Sequence, residues 1–321
     1  MRALVFDKAG DPGAVLRLGE APEPVLQPNG VVIEVRARVI QPADFLFMRG
    51  VYRVRPVFPQ VAGFDGAGVV LELGREVRGL SVGQRVAFRS VGAWAERVAA
   101  PAERVYPVPD DIADEVACQF PLNPLTAWGL LDVCSLSSGA RVLATAGRSV
   151  VSALVAALAA RRGIQLVRVA RRDRGYGVVG EDDPGRTPAS LSELLGALAA
   201  EKPFDAGFDA VGGPNTLALI GAIARGGQLV SYGVLDDAPF PIRASTVLYR
   251  NLTWRGFGID RYLRELPAGA LAEATPVLWD VLRRDPACAP VSARYPLSEF
   301  RTAIGVAQQA GGGGKVILTG S

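Results

Sequence analysis

The stretch Arg141-Val-Leu-Ala-Thr-Ala-Gly-Arg-Ser-Val-Val-Ser-Ala-Leu sets an apolar run, a tight turn and an Ala-rich helical segment in succession. A helix that starts directly after a strand points unpaired backbone N–H groups and the positive end of its dipole into the turn, which is chemistry for holding a pyrophosphate. The turn and helix start, Ala146, Arg148, Ser149 and Val150, are the candidate ligands. Set on the dinucleotide pattern G-x-G-x-x-G, the three glycine positions hold Ala146, Arg148 and Val151, so the fingerprint itself is missing. Ala146 costs little there, and Arg148 adds bulk where pyrophosphate approaches but also a compensating charge. Val151 falls where glycine lets helix and strand pack closely, and enlarging that site costs about 1–3 kcal/mol unless its neighbours move. A degenerate site that binds no nucleotide is the alternative.

Further along, Val169-Ala170-Arg171-Arg172-Asp173 closes the next apolar run, at the place where an acidic residue would hold the ribose hydroxyls of NAD. Arg171 and Arg172 would instead accommodate a 2′-phosphate, so a nucleotide bound here would be NADPH rather than NADH. Two solvated loop arginines are the competing reading, because 32 of the 35 basic residues are arginine. The chain has no histidine, which removes serine–histidine hydrolysis and histidine-bound metal sites together. Cys118, Cys134 and Cys288 lie too far apart for a zinc ribbon and are expected to be buried free thiols.

The elements that must position these groups fall into two textures. At 321 residues the chain is long enough for two domains. Up to about Val116 the sequence shows short apolar runs broken by Gly and Pro, which is β-rich. Beyond Cys118, helical patterns alternate with the runs at Arg141, Gln165, Ala206 and Gly227, which predicts an α/β, doubly wound parallel sheet of Rossmann type. After Phe257 come two helical stretches and a strand, Lys315-Val-Ile-Leu-Thr, which should return to the first domain. The preceding Gly311-Gly-Gly-Gly lacks the Gly at 309 and the Ser or Thr at 316 of a phosphate loop, and reads as a flexible loop feeding an edge strand. Tyr176 to Pro188 reads as a surface loop. No uncharged stretch reaches the roughly 18 residues of a membrane span. The net charge of +3 comes without charge runs, so neither a membrane nor a nucleic-acid partner is expected. The amino terminus does not read as a signal peptide, and a cytoplasmic protein is expected.

In order along nearly the whole chain, these segments resemble the zinc-free branch of the medium-chain dehydrogenase/reductase superfamily, the quinone oxidoreductases and 2-enoyl thioester reductases. In the first domain the resemblance rests on Gln41-Pro-Ala-Asp-Phe, Arg49-Gly-Val-Tyr-Arg-Val-Arg-Pro, Ala62-Gly-Phe-Asp-Gly-Ala-Gly-Val-Val, Leu80-Ser-Val-Gly-Gln-Arg-Val and Gly92-Ala-Trp-Ala-Glu-Arg-Val. In the second it rests on Asn123-Pro-Leu-Thr-Ala, Ala224-Arg-Gly-Gly-Gln-Leu-Val-Ser-Tyr-Gly and Arg250-Asn-Leu-Thr-Trp-Arg-Gly-Phe. Zinc-dependent relatives carry Gly-His-Glu where this chain has Gly63-Phe64-Asp65, and no metal is implied. The resemblance implies a GroES-like β-rich domain over residues 1–117, a Rossmann domain over 118–258 and a C-terminal return over 259–321, with catalysis in the cleft between domains.

What the resemblance implies for single residues is more specific. Tyr52 matches the place of a catalytic tyrosine, and a phenol can hydrogen-bond a developing enolate and then supply a proton without histidine. A structural loop tyrosine is the alternative. Gln41 stands where relatives have asparagine. Asn123 and Thr126 match an element beside the nicotinamide, although Thr126 could equally cap the following helix. Tyr232 joins the cofactor set through its motif. Asp44 and Asp65 read as turn and loop partners. Three functions stay open: NADPH-dependent reduction of a 2-enoyl thioester or related enone, quinone reduction, which Gly258 in place of a family tryptophan would suit, and a cofactor-independent catalyst such as a cyclase or a binding protein. A homodimer is the family expectation.

Overall fold

The structure, a computed structural model, describes residues 1–173, 175–180, 190–309 and 313–320. It divides into two compact units, Met1–Pro124 with Leu282–Ser321, and Leu125–Val281.

The first unit is built on β1 (Arg2–Phe6), α1 (Pro12–Val15), β2 (Leu16–Glu20), β3 (Gly30–Val39), α2 (Pro42–Met48), β4 (Gln60–Val61), β5 (Asp65–Leu73), β6 (Arg85–Arg89), β7 (Arg97–Pro101), β8 (Val105–Pro107) and α3 (Asp114–Ala117). α4 (Asn123–Asp132) begins where this unit ends. One sheet orders its strands β2-β1-β4, and β7 pairs with β3 in the larger one. Val31, Ile33, Phe47, Phe64, Phe88 and Trp94 form the centre of its core. Gly63, at φ +85°, is required there, because a Cβ at that position would stand 2.1 Å from the Trp94 ring.

The second unit carries β9 (Arg141–Ala144), α5 (Val150–Arg161), β10 (Gln165–Arg171), β11 (Tyr176–Val178), α6 (Leu191–Glu201), β12 (Phe204–Asp209), α7 (Asn215–Ala222), β13 (Ile223–Ser231), α8 (Ala244–Leu248), β14 (Thr253–Gly256), α9 (Ile259–Glu265) and most of α10 (Ala270–Arg284). Its sheet runs β11-β10-β9-β12-β13-β14, parallel from β10 to β14, with β11 added antiparallel. Chain order reverses between β9 and β12, the switch point at which ligands of doubly wound sheets bind beyond the strand ends. The chain then returns to the first unit through β15 (Val291–Pro296), α11 (Phe300–Gln309) and β16 (Lys315–Thr319).

Three expectations change. Tyr176–Val178 is a strand hydrogen-bonded to β10, not loop, because Tyr176 packs against the unit's core; residues 181–188 of that segment lie outside the described residues. β16 is interior, lying between β15 and β3, so the strand after the glycines closes a sheet instead of edging it. The unit boundaries fall at Pro124/Leu125 and Val281/Leu282. Residues 118–124 stay with the first unit because Gln119 donates to the Ala289 carbonyl at 3.1 Å and Phe120 packs on Tyr106. The segment after 258 stays with the second, where Tyr262 packs on Phe257 and Arg161 reaches Asp280 at 2.6 Å. All three cysteines are buried thiols outside any disulfide, and no helix of the described residues is long and apolar enough to cross a membrane.

Candidate functional site

In the second unit, β9 ends at Ala144 and the chain turns sharply. Ala146 takes φ +48°, a left-handed conformation that costs an alanine about 1–2 kcal/mol and that the first glycine of the pattern would have met freely. Gly147 follows, its N–H donating to the Val169 carbonyl at 2.9 Å. A Cβ there would lie 2.9 Å from the backbone of Arg168 and Val169, so the close approach to β10 falls on the one glycine that remains. Ser149 caps α5, accepting from the Ser152 N–H at 3.2 Å, and no acidic residue stands in the first turn. Arg148 is exposed beside that turn. An acid-free helix start, an exposed guanidinium and a turn pressed against the sheet fit an anionic pyrophosphate.

The expected overpacking at Val151 does not occur. That side chain is half-buried, whereas Val150 and Ser152 turn inward, Ser152 fully. The inward positions at the helix start are Val150 and the small Ser152, so the residue enlarged at 151 is not the one the core must accommodate. Tyr232 meets this turn, hydrogen-bonded to Ser149; burial pushes its phenol up, partly opposed by that bond.

A group the sequence did not flag organises the same end of the sheet. Asp209, fully buried at the end of β12, accepts from Thr145 Oγ1 at 3.0 Å, Thr216 Oγ1 at 2.7 Å and the N–H groups of Val211 and Gly212 at 3.0 and 3.2 Å. It ties β9, β12 and α7 together beside the turn. Only its place after an apolar run hinted at a role.

The two arginines after β10 separate in function. Arg171 is exposed at the strand end. Arg172 lies over the β10–β11 hairpin, donating from Nη2 to the Val178 carbonyl at 3.1 Å and pressing on Gly177. The expected pair of phosphate ligands is thus one exposed arginine and one stitched into its own hairpin.

In the first unit, the polar group is buried under aromatic rings. Gln41 precedes α2; its N–H donates to Asp44 Oδ2 at 2.7 Å and its Nε2 to Asn123 Oδ1 at 3.4 Å. Asp65 Oδ1 and Oδ2 each accept from Arg89 Nη1, at 2.6 and 2.7 Å. Burial, with Asp65 nearby, pushes the Asp44 carboxyl up to about 8. Burial also lowers Lys315 to about 8, against the pull of Asp44 and Asp65. Asp44 is the turn partner expected, accepting at the start of α2, whereas Asp65 opens β5 in an ion pair with Arg89 instead of lying in a loop; Arg89 and Lys315 were not anticipated. Phe64 packs at a tilt against Phe47, ring centroids 4.8 Å apart, with the Arg89 guanidinium 5.2 Å from its own centroid. Tyr52 lies on Phe64, ring centroids 5.4 Å apart, half-buried. Among the described residues no cluster of three or more potential metal-ligating side chains occurs.

Asn123 starts α4 in the first unit, and Thr126 is the helix's fourth residue, buried in the second unit. Thr126 is thus past the capping position, which removes helix capping as its explanation.

Comparison with known proteins places these features among relatives. Residues 27–110 match the alcohol dehydrogenase GroES-like domain. The human mitochondrial enoyl-[acyl-carrier-protein] reductase is 28% identical, over 99% of this chain and 88% of that protein. The mitochondrial enoyl-[acyl-carrier-protein] reductase of Dictyostelium discoideum is also 28% identical, over 99% of this chain and 94% of its own length. In fold, the chain is similar to the Escherichia coli quinone oxidoreductase solved with NADPH, at a TM-score of 0.82 and 21% identity, covering 99% and 100% of the two chains.

Proposed function

We propose that this chain, similar over nearly its whole length to enoyl-[acyl-carrier-protein] reductases and carrying a GroES-like domain, is a zinc-free medium-chain dehydrogenase/reductase that reduces, with NADPH, the C=C bond of a 2-enoyl thioester or related α,β-unsaturated carbonyl. The observation that carries this reading is Tyr52: a phenol seated on Phe64, in a chain without histidine, whose full-length relatives are enoyl reductases. Bound NADPH would supply hydride to Cβ. The turn from Ala146 to Val150 would hold its pyrophosphate, Arg171 its 2′-phosphate, and Asn123, Thr126 and Tyr232 belong to the same proposed cofactor set. Tyr52 would donate a hydrogen bond to the acceptor's carbonyl oxygen, where negative charge develops, and then pass a proton to Cα. Gln41, fixed by Asp44 and Asn123, would hold polar character in that site. The turn's retained geometry at Ala146 favours a working nucleotide site over a decayed one.

The test is loss of absorbance at 340 nm with NADPH and a short-chain enoyl thioester. Turnover supports the proposal; no turnover, with NADPH binding by thermal shift, removes the enoyl acceptor. A second reading, quinone reduction, is favoured by Gly258 at the start of α9, where enoyl-type relatives carry a large aromatic. It predicts that a benzoquinone outpaces the enoyl thioester.

The arginines supply a cofactor prediction. Arg171→Ala is expected to raise Kd for NADPH about tenfold, the loss of one charge-assisted phosphate contact, and to leave NADH unchanged. Arg172→Ala should affect both nucleotides alike. Titration of nicotinamide fluorescence decides, and equal losses with both nucleotides for Arg171→Ala would remove that residue from the phosphate site.

We further infer a homodimer through the edge of the second unit's sheet. All four residues of β14 are exposed, beside Leu248 and Tyr249, each 68% exposed. An uncovered strand edge with apolar neighbours is a template for pairing, and a charge on it opposes pairing. Trp254→Arg is expected to convert a dimer to a monomer in light scattering after gel filtration, and a variant that stays dimeric would place the interface elsewhere.

A further inference from the structure

The Tyr52 loop carries a charge pattern that the proposed chemistry does not yet use. Between Asp44 and Asp65 the chain has no acidic residue but three arginines, Arg49, Arg53 and Arg55. From 51 to 55 exposure alternates: Val51, Arg53 and Arg55 are exposed, while Tyr52 and Val54 turn inward and pack on the core. Each cation around the phenol has a different position. Arg49 lies 3.6 Å from Asp11, Arg55 turns to the Gly50 carbonyl at 3.3 Å, and Arg89 shares its charge with both oxygens of Asp65. Arg53 instead places its guanidinium on the phenol itself, 5.2 Å from the Tyr52 ring centroid. The aromatic pair Tyr52–Phe64 is therefore bracketed by Arg53 on one ring and the neutralised Arg89 on the other.

We propose that Arg53 is a positioning residue for Tyr52, orienting the ring between its guanidinium and Phe64 and placing a positive charge over the ring whose oxygen must become negative. The inference rests on the Tyr52 reading above. In the donating step the phenolic O–H strengthens its bond to the acceptor's oxygen as charge grows there. In the proton step that O–H bond breaks, the electron pair of the enolate forms the new C–H bond at Cα, and the phenolate left behind takes a proton from water. A guanidinium over the ring favours both steps, because it interacts more strongly with an anionic than with a neutral phenol.

The experiment compares the wild type with Arg53→Gln, Arg53→Lys, Arg55→Gln, Tyr52→Phe and the double variant Tyr52→Phe/Arg53→Gln, using NADPH and the best enoyl thioester. Arg53→Gln is expected to lower kcat about fivefold, with KM for the thioester within about twofold. Arg53→Lys, which keeps the charge, should recover most of that loss, and Arg55→Gln, which removes a charge two residues away, should match wild type. In the Tyr52→Phe background, Arg53→Gln should have no further effect. An equal loss in that background overturns the inference while leaving Tyr52 in place. So does a change in KM alone, an Arg55→Gln loss as large as that at Arg53, or no recovery with lysine. Full activity of Tyr52→Phe would instead overturn the reading on which the inference stands.

Discussion

Tyr52→Phe is expected to lower kcat by about 10²–10³-fold while NADPH binds as it does to wild type, measured by single-turnover absorbance and by fluorescence titration. The size follows from what the phenol replaces. Removing one preorganised donor from a developing oxyanion costs roughly 2.7–4 kcal/mol, and the same hydroxyl also serves as the proton source in this reading. The specificity of the loss follows from packing. Phenylalanine keeps the ring on Phe64 and beneath Arg53, so the loop retains its aromatic contacts and only the hydroxyl is lost. Wild-type turnover in this variant would remove Tyr52 from the mechanism. A fall in melting temperature that accounts for the lost activity would make it a structural loop tyrosine.

Asp209→Ala is expected to destabilise the second unit by about 3–5 kcal/mol, because four donors that converge on one buried carboxylate lose their acceptor together. For a unit of this size that corresponds to a fall in Tm of roughly 10 °C, read by differential scanning calorimetry. Asp209→Asn separates charge from shape. Its carbonyl oxygen can still accept from Thr145 and the two N–H groups, and the Thr216 hydroxyl can rotate to accept from the new amide, so the loss should be only about 1–2 kcal/mol. The network lies beside the turn at Ala146, so Asp209→Ala should also weaken NADPH binding. A wild-type melting temperature in Asp209→Ala would mean that water replaces the carboxylate, and that the network is no keystone of this end of the sheet.

Tyr52 and Asp209 differ in how they could be found. The tyrosine lies in a motif whose neighbours in sequence carry the resemblance, so a linear reading reaches it. The aspartate's partners at 211, 212 and 216 are local, but a polar turn alone does not mark a keystone, and Thr145 reaches it only through the parallel pairing of β9 with β12. The glycine pattern shows the same division within one turn. Three substituted glycine positions read as damage along the chain. In space, the left-handed residue is Ala146, the close approach belongs to Gly147, and Val151 is half-buried while Val150 and Ser152 are the buried neighbours.

The amino-acid sequence by itself determined the alternation of strand and helix after Cys118, the β-rich texture before it, the absence of histidine chemistry and the presence of arginines after β10. These are properties of local period and composition, which a strand or helix expresses whatever it packs against. Tertiary structure decided that Arg172 is spent on its own hairpin while Arg171 is exposed, and that Lys315, Asp44, Asp65 and Arg89 share one buried region. It also decided that β16 is covered on both sides and that a guanidinium rests on Tyr52. Each of these depends on which distant segments meet, and burial there shifts charge and removes solvent in ways that residue type and spacing do not encode.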